Sequence, residues 1–221
     1  MNKQRLNWWC DRAWIKCMCL IAAVMLGLIM LNWEKWSTEL KIIAAIAALI
    51  PVHVLEEWIF PGGFHYQYNT LRRSNQLDRY PMNRLSDMYT NMMATVFYII
   101  LTIISIVNGQ VSNGMILGTT IFCALELIVH TLLGIIMYSK FRTKGKTTIY
   151  GPGSITTYIG FVPFGVILLY VLKERTIIST DWIGAASVVG FILIICILLP
   201  EVLFMKKGEY YFKNNGYYDR F

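Results

Sequence analysis

The sequence predicts an all-α fold: a polytopic membrane bundle of about six transmembrane helices with both termini in the cytoplasm. Hydrophobic residues make up 56% of the 221 residues and charged residues only 15%. Soluble globular domains average roughly 45–50% and 25%. Apolar stretches close to the roughly 20 residues that cross a bilayer recur along the chain. The length predicts that residues 1–221 form a single membrane domain.

Six stretches are predicted to cross the bilayer as spans one to six. The first follows a basic segment, as the apolar core of a signal peptide does. It is kept as a span because Trp33 and Glu34 follow it instead of a small-residue cleavage site. Trp36, Trp58 and Trp182 lie at span ends, where tryptophan suits the membrane interface. The predicted boundaries are about 16–33, 40–60, 88–107, 114–138, 155–172 and 182–205.

The Lys and Arg residues predict the orientation of the spans. Sixteen of the 20 lie in the terminal segments and in the connections after spans two and four. The opposite side receives only Lys35, Lys41, Lys173 and Arg175. Because cytoplasmic loops are enriched in basic residues, both termini are predicted to be cytoplasmic and the protein to lie in the cell membrane. The net charge of +7 is then explained without nucleic acid as a partner, and the lipid bilayer is the partner expected.

Two predicted cytoplasmic segments, the connection 61–87 and the tail from Lys206, combine aromatic and basic residues. This mixture is typical of segments that lie on the membrane surface. His65 follows two glycines in the connection and is expected to be solvated. The five Cys residues lack zinc-ribbon spacing, so they are expected to be reduced and to pack in the bundle.

Span two carries the clearest chemical signal, His53, Glu56 and Glu57. At about 100° per residue these side chains fall within an arc of roughly 100° and face one direction. Glu126 and His130 are one turn apart in span four. Ionisable residues cost on the order of 2.5–3.5 kcal/mol each at the centre of a span, so they require a partner or a function. Because adjacent spans run antiparallel, both groups are predicted in the cytoplasmic half of the bilayer.

Other polar residues are predicted at a similar depth. Asp87, Asn91 and Thr95 form a stripe at i, i+4 and i+8 in span three, and Thr156 opens span five. Asn91 and Thr95 are more often residues that join helices than ligands. Glu201, at the end of span six, is equally well explained as an interface residue beside the basic tail.

Imidazole and carboxylate groups are suitable ligands for zinc, iron or manganese. The predicted metal ligands are His53, Glu57, Glu126 and His130. Soluble di-iron bundles use Glu-x-x-His, whereas this chain has His-x-x-Glu-Glu and Glu-x-x-x-His. One ion with a bound water is therefore at least as compatible with the sequence as two ions.

These residues predict a metal-dependent membrane enzyme, a hydrolase or an oxidoreductase, acting on a lipid or lipid-linked substrate. Glu56 is predicted to be the general base, with Asn91 and Thr156 orienting the substrate. A cation- or proton-coupled transporter is one alternative, although no inverted repeat is visible. A metal-free acid/base isomerase of an apolar ligand is another. Haem held by His53 and His130, or polar pairs that only join helices, are further alternatives.

The pattern resembles a known family. His53-x-x-Glu56-Glu57 is followed by Phe60-Pro61-Gly62-Gly63-Phe64, and His130 by Tyr150-Gly151-Pro152-Gly153-Ser154-Ile155-Thr156. Both features are similar to the HXXEE-motif family of membrane proteins of unknown function, over about residues 45–165. The resemblance implies that these His and Glu residues, with Thr156, belong to one site. It implies no reaction.

Overall fold

The computed structural model describes residues 3–221. The side chains of Lys3 and Arg12, which count toward the predicted orientation, lie outside the described part. Residues 3–221 form helices and contain no strand, so the all-α prediction is confirmed. We number the main helices in chain order, α7 and α8 each joining consecutive helical segments: α1 Lys3–Trp8, α2 Trp14–Leu31, α3 Thr38–Trp58, α4 Phe64–Leu71, α5 Arg84–Val107, α6 Asn113–Phe141, α7 Ser154–Lys173 and α8 Ser179–Phe204.

Six helices, α2, α3 and α5 to α8, are long and apolar enough to cross a membrane. They coincide with the six predicted spans to within a few residues. The start of α5 differs, because it was predicted near residue 88 and lies at Arg84. The Asn83 side chain accepts hydrogen bonds from the backbone N–H groups of Leu85 and Ser86, and so caps the helix. The first turn is polar, and hydropathy alone therefore places the start too late.

Helix α3 lies at the centre of the bundle and packs against α2 and α5. Ile43, Ala44 and Ala47 are completely buried along it. Small side chains let neighbouring helices approach closely, which is the usual means of packing apolar helices. The central position of α3 places its His53-x-x-Glu-Glu segment inside the bundle.

Helix α6 packs against the first half of α8 through small residues and then diverges from it. A Cβ atom at Gly114 would lie 2.9 Å from the Cα atom of Gly184, so the two backbones are in direct contact. After Gly190, α8 continues as a π-helix over Phe191–Leu198. This π-helical part packs against α5 and makes few contacts with α6. A gap therefore opens between α6 and α8.

The segments 59–83, 142–153 and 205–221 close one end of the bundle, which we call the site end. Helix α4 buries Gln67 and Asn69 there instead of lying free on a membrane surface. The prediction that His65 is solvated is wrong: its side chain is buried, and its ring stacks on Phe212 with 3.7 Å between ring centroids. The C-terminal tail, also predicted to lie on the membrane, supplies that ring. The contact joins segments far apart in the chain, so local composition does not indicate it.

Candidate functional site

His53 and Glu57 of α3 converge with Glu126 and His130 of α6 at the site end of the bundle. The His53 Nε2 atom lies 3.2 Å from a Glu57 oxygen and 3.8 Å from a Glu126 oxygen. The His130 Nε2 atom lies 3.7 Å and 3.4 Å from the same two oxygens. We call these four residues the His/Glu cluster. Within it, ligand atoms of His53, Glu126 and His130 all lie within 4.8 Å of one another.

The spacing in the cluster is compatible with a bound metal ion, and most of its contacts are longer than hydrogen bonds. N–H···O bonds have donor–acceptor distances of about 2.7–3.2 Å, and only the 3.2 Å contact between His53 and Glu57 lies within that range. Zinc binds nitrogen and oxygen ligands at about 2.0–2.2 Å in a tetrahedron, whose edges are therefore about 3.3–3.6 Å long. The Glu126 oxygen lies 3.8 Å from His53 Nε2 and 3.4 Å from His130 Nε2, close to this length. The set fits one ion held by His53, Glu126 and His130, with Glu57 beside it.

Glu56 points away from the cluster and caps the start of α7. Its two carboxylate oxygens accept hydrogen bonds from the backbone N–H groups of Ile155, at 3.0 Å, and Thr156, at 2.8 Å. A carboxylate at a helix N-terminus is favourable because it satisfies free N–H groups and complements the helix dipole. The Thr156 hydroxyl also donates to Glu56, with 2.6 Å between the oxygens. Glu56 therefore attaches the start of α7 to the last turn of α3.

The Thr156 hydroxyl determines which nitrogen of His53 carries a proton. It lies 2.7 Å from His53 Nδ1. Since its single hydrogen is donated to Glu56, the hydroxyl can only accept from His53, and Nδ1 must be the protonated nitrogen. In a neutral imidazole, Nε2 then has a free lone pair. That lone pair is directed at the carboxylates of Glu57 and Glu126. Negative charge facing a lone pair requires a cation between them, either a proton or a metal ion.

Gly153 holds the two imidazole rings from the side of α7. A Cβ atom at this position would lie 2.1 Å from His130 Cε1 and 2.9 Å from His53 Cε1. Its φ of +92° is a conformation that residues with side chains rarely adopt. The Tyr150–Thr156 pattern in the sequence contained this glycine, but gave no indication that it contacts both histidines. His130 Nδ1 has no hydrogen-bond partner in the described part of the chain.

A cavity of about 380 Å³ lies beside the cluster, between α3, α4, α5, α6 and α8. The Glu126 side chain is 23% exposed, and it lines this cavity, whereas that of Glu57 is only 4% exposed. Glu126 is therefore the carboxylate of the cluster that is most accessible to a ligand. Asn91 also lines the cavity, while Glu56 and Thr156 lie behind His53 and outside the lining.

Asp87, which was not among the predicted site residues, adds a third carboxylate to the cavity wall. It accepts hydrogen bonds from the Trp58 indole N–H and from the Asn91 amide, each at 2.8 Å. The lining contains no Lys or Arg among the described residues. Carboxylates without a basic partner favour a bound cation. Haem does not fit, because two carboxylates lie within 3.8 Å of the histidine nitrogens and leave no space for a porphyrin.

A second polar group, Tyr68 with Glu201 and Arg72, lies at the site end of the cavity. The Tyr68 hydroxyl donates a hydrogen bond to Glu201 and accepts one from Arg72 at 3.0 Å. Burial and the Glu201 carboxylate raise the pKa of Tyr68, which keeps the hydroxyl protonated. Glu201 is buried and paired with Arg72 at 3.2 Å. It is therefore a partner within the bundle instead of an exposed interface residue.

Comparisons with known proteins identify the family to which these residues belong. Neither the curated proteins nor the solved structures gave a match. The profile of a family described as "Protein of unknown function with HXXEE motif" matches residues 44–168. This range covers more than half of the 221 residues and includes the whole His/Glu cluster. The chain therefore belongs to the family of proteins of unknown function with an HXXEE motif.

Proposed function

We propose that the protein is a metal-dependent membrane enzyme whose His/Glu cluster binds one zinc, iron or manganese ion. The observation that carries the proposal is the chain of hydrogen bonds from Glu56 through Thr156 to His53. This chain keeps a proton on Nδ1 of His53, so that Nε2 is directed at two carboxylates and is the nitrogen available to bind a metal ion. Histidines that bind metals commonly donate their other N–H to a neighbouring group in this way, which fixes the ring and raises its basicity.

A metal ion satisfies the cluster better than protons alone. A shared proton would draw each imidazole within about 2.7–3.2 Å of one carboxylate. Instead, both Nε2 atoms lie between the same two carboxylate oxygens, at 3.2–3.8 Å. The chain offers no Lys or Arg in the described cavity lining to balance Glu57, Asp87 and Glu126. Two histidines and one carboxylate are also the ligand set of several zinc hydrolases, which leave a fourth position open for water.

The chemistry follows from the two carboxylates of the cluster. A bound divalent ion lowers the pKa of a coordinated water and polarises a carbonyl or phosphoryl oxygen. Glu57, beside the ligand set, would be placed to accept a proton from that water, while Glu126, which is more open to the cavity, would hold the ion. The contacts of Glu56 and Thr156 favour positioning of His53 over the general-base and substrate-orienting roles predicted from sequence. Asn91, in the cavity wall, keeps its predicted role of orienting the substrate.

The same proposal includes a location and a substrate class. The site end carries most of the basic residues, so we place it in the cytoplasm of the cell by the positive-inside rule. The cavity is bounded by apolar residues of membrane-spanning helices. A substrate that reaches it is therefore a lipid or a lipid-linked molecule.

The test is metal analysis of the purified protein and of matched histidine variants. The chain has three histidines, and His65 lies outside the cluster. We expect about one equivalent of metal in the wild type and in His65→Phe, and none in His53→Phe or His130→Phe. Absence of stoichiometric metal in a folded wild type that also fails to take up added Zn²⁺, Fe²⁺ or Mn²⁺ would reject the proposal. Metal-free acid/base chemistry by the same carboxylates would then be the better explanation.

A further inference from the structure

We propose that the cavity binds the hydrocarbon chain of a membrane amphiphile lengthwise, and that this chain enters sideways between α6 and the π-helical part of α8. The inference deepens the proposed function, because it takes the His/Glu cluster as the place where the reactive group of the same amphiphile lies. It adds a binding site for the chain and a route of entry.

The polarity of the cavity changes along the axis of the bundle. On α3, α5 and α6 the lining residues are apolar away from the site end and polar toward it, while those of α8 are apolar throughout. The apolar end is lined by Ile50 of α3, Ala94 of α5, Phe122 of α6 and Ile192 of α8. The opposite end is lined by Glu57 of α3, Asp87 of α5, His130 of α6 and Tyr68 of α4.

This gradient runs in the direction in which a lipid is oriented in a bilayer. Helix α6 contributes residues from Phe122 to His130, which corresponds to a cavity length of about 12 Å at 1.5 Å per residue. A chain in the apolar end, with a carbonyl, ester or phosphate group at the ion that the proposed function places in the His/Glu cluster, would match the wall at both ends. A polar metabolite would leave the apolar end unsatisfied, and a pure hydrocarbon would leave three carboxylates desolvated.

The gap between α6 and α8 gives the chain a path from the bilayer. Glycine contacts hold the first half of α8 against α6, and the π-helical part then separates from it. Leu125 and Val129 line the cavity on one side of the gap, and Leu193 and Leu198 on the other. Leu193 is 41% and Leu198 45% exposed on the surface of a helix that is long and apolar enough to span a membrane. In a membrane, such a surface is in contact with lipid acyl chains.

The cavity volume sets how much of a lipid enters. About 380 Å³ is near the lower end of the roughly 300–1,000 Å³ typical of ligand sites. It accommodates one chain with its reactive group. The remainder of a larger lipid would stay in the bilayer outside the gap.

Photo-crosslinking with a fatty acid that carries a diazirine on its chain tests the site. We expect crosslinks, mapped by mass spectrometry, at Phe122, Ile192 and Cys196, which lie in the cavity wall. Ala94→Phe fills the apolar end and should abolish them. Ile103→Phe is the matched control, since it adds the same ring to an exposed position of α5 outside the cavity lining. Crosslinks confined to outward-facing residues in the wild type would overturn the inference.

The route of entry has its own test, and metal content separates the inference from the proposed function. Leu193→Trp should slow crosslinking in the cavity, whereas Ile183→Trp, exposed on the first half of α8, should not. Equal rates in both variants would overturn sideways entry. Metal content is measured in every sample. Cavity crosslinks in a protein without metal would reject the enzyme proposal alone, while bound metal without cavity crosslinks would reject the lipid site alone.

Discussion

Replacing Thr156 by valine removes one hydroxyl while keeping the shape of the side chain. In the wild type this hydroxyl accepts a hydrogen bond from His53 Nδ1 and donates one to Glu56. Glu56 keeps both backbone donors of α7 in the variant, so the start of α7 should stay in place. His53 loses the group that keeps its proton on Nδ1. The proton can then move to Nε2, which takes the lone pair away from the metal.

The expected effect of Thr156→Val is a 10- to 100-fold loss of metal affinity. Groups that orient metal-binding histidines are worth about this factor, which corresponds to roughly 1.4–2.7 kcal/mol. A hydrogen bond to a charged group contributes roughly 1.5–3 kcal/mol, and the Thr156 hydroxyl makes such a bond to the Glu56 carboxylate at 2.6 Å. The two values agree. Thr156→Ser keeps the hydroxyl and should bind metal almost as tightly as the wild type.

Competition with a chelator of known affinity measures these differences in purified protein. Thr131→Val serves as the control, because among the described residues the Thr131 hydroxyl pairs only with Tyr158, on an exposed surface at 3.0 Å. Its metal affinity should equal that of the wild type. If Thr156→Val binds metal as tightly as Thr131→Val, the tautomer argument is wrong and the hydrogen-bond chain only joins α3 to α7.

Three further predictions concern the walls of the site. Gly153→Ala should abolish metal binding, since its Cβ would lie 2.1 Å from His130 Cε1, while Gly27→Ala, with no atom within 4 Å, should leave metal stoichiometry unchanged. Glu126→Gln should weaken metal binding roughly tenfold or more by removing a charged ligand, and unchanged affinity in chelator competition would exclude Glu126 as a ligand. Burial lowers the pKa of His65 from 6.5 to about 3. As the pH falls below 6.5, His65 is therefore protonated first in the state in which the C-terminal tail is detached and the imidazole is solvated. Docking of the C-terminal tail should therefore weaken as the pH falls, and faster hydrogen exchange in residues 205–221 would report this. His65→Phe should remove that pH dependence.

The helices and the central residues of the site were predictable because their signals are local. Apolar length identifies each span, and the cost of burying ionisable groups singles out the two His/Glu pairs. Helical periodicity places His53 with Glu57, and Glu126 with His130, one turn apart on one face. Two such pairs, at similar depths on helices that both run toward the site end, were expected to meet, and they do.

The remaining features depend on contacts between distant parts of the chain. Glu56 was predicted to lie on the same face of α3 as the metal ligands. Its carboxylate instead accepts from the free N–H groups at the start of α7, about 100 residues further along the chain. Position 153 must be a glycine because its backbone packs against two histidines from other helices. Glu201 is held by Tyr68, and His65 by Phe212, across comparable separations. No periodicity or composition within a single segment reports such pairings.

X-ray absorption spectroscopy at the metal edge of the wild-type protein tests the central claim most directly. The account predicts one ion per chain with nitrogen and oxygen neighbours at about 2.0–2.2 Å, and scattering from two imidazole rings. His130→Phe should release the ion. A stoichiometric ion whose spectrum contains no imidazole, or a folded protein that takes up no ion, would contradict the assignment of the His/Glu cluster as a metal site.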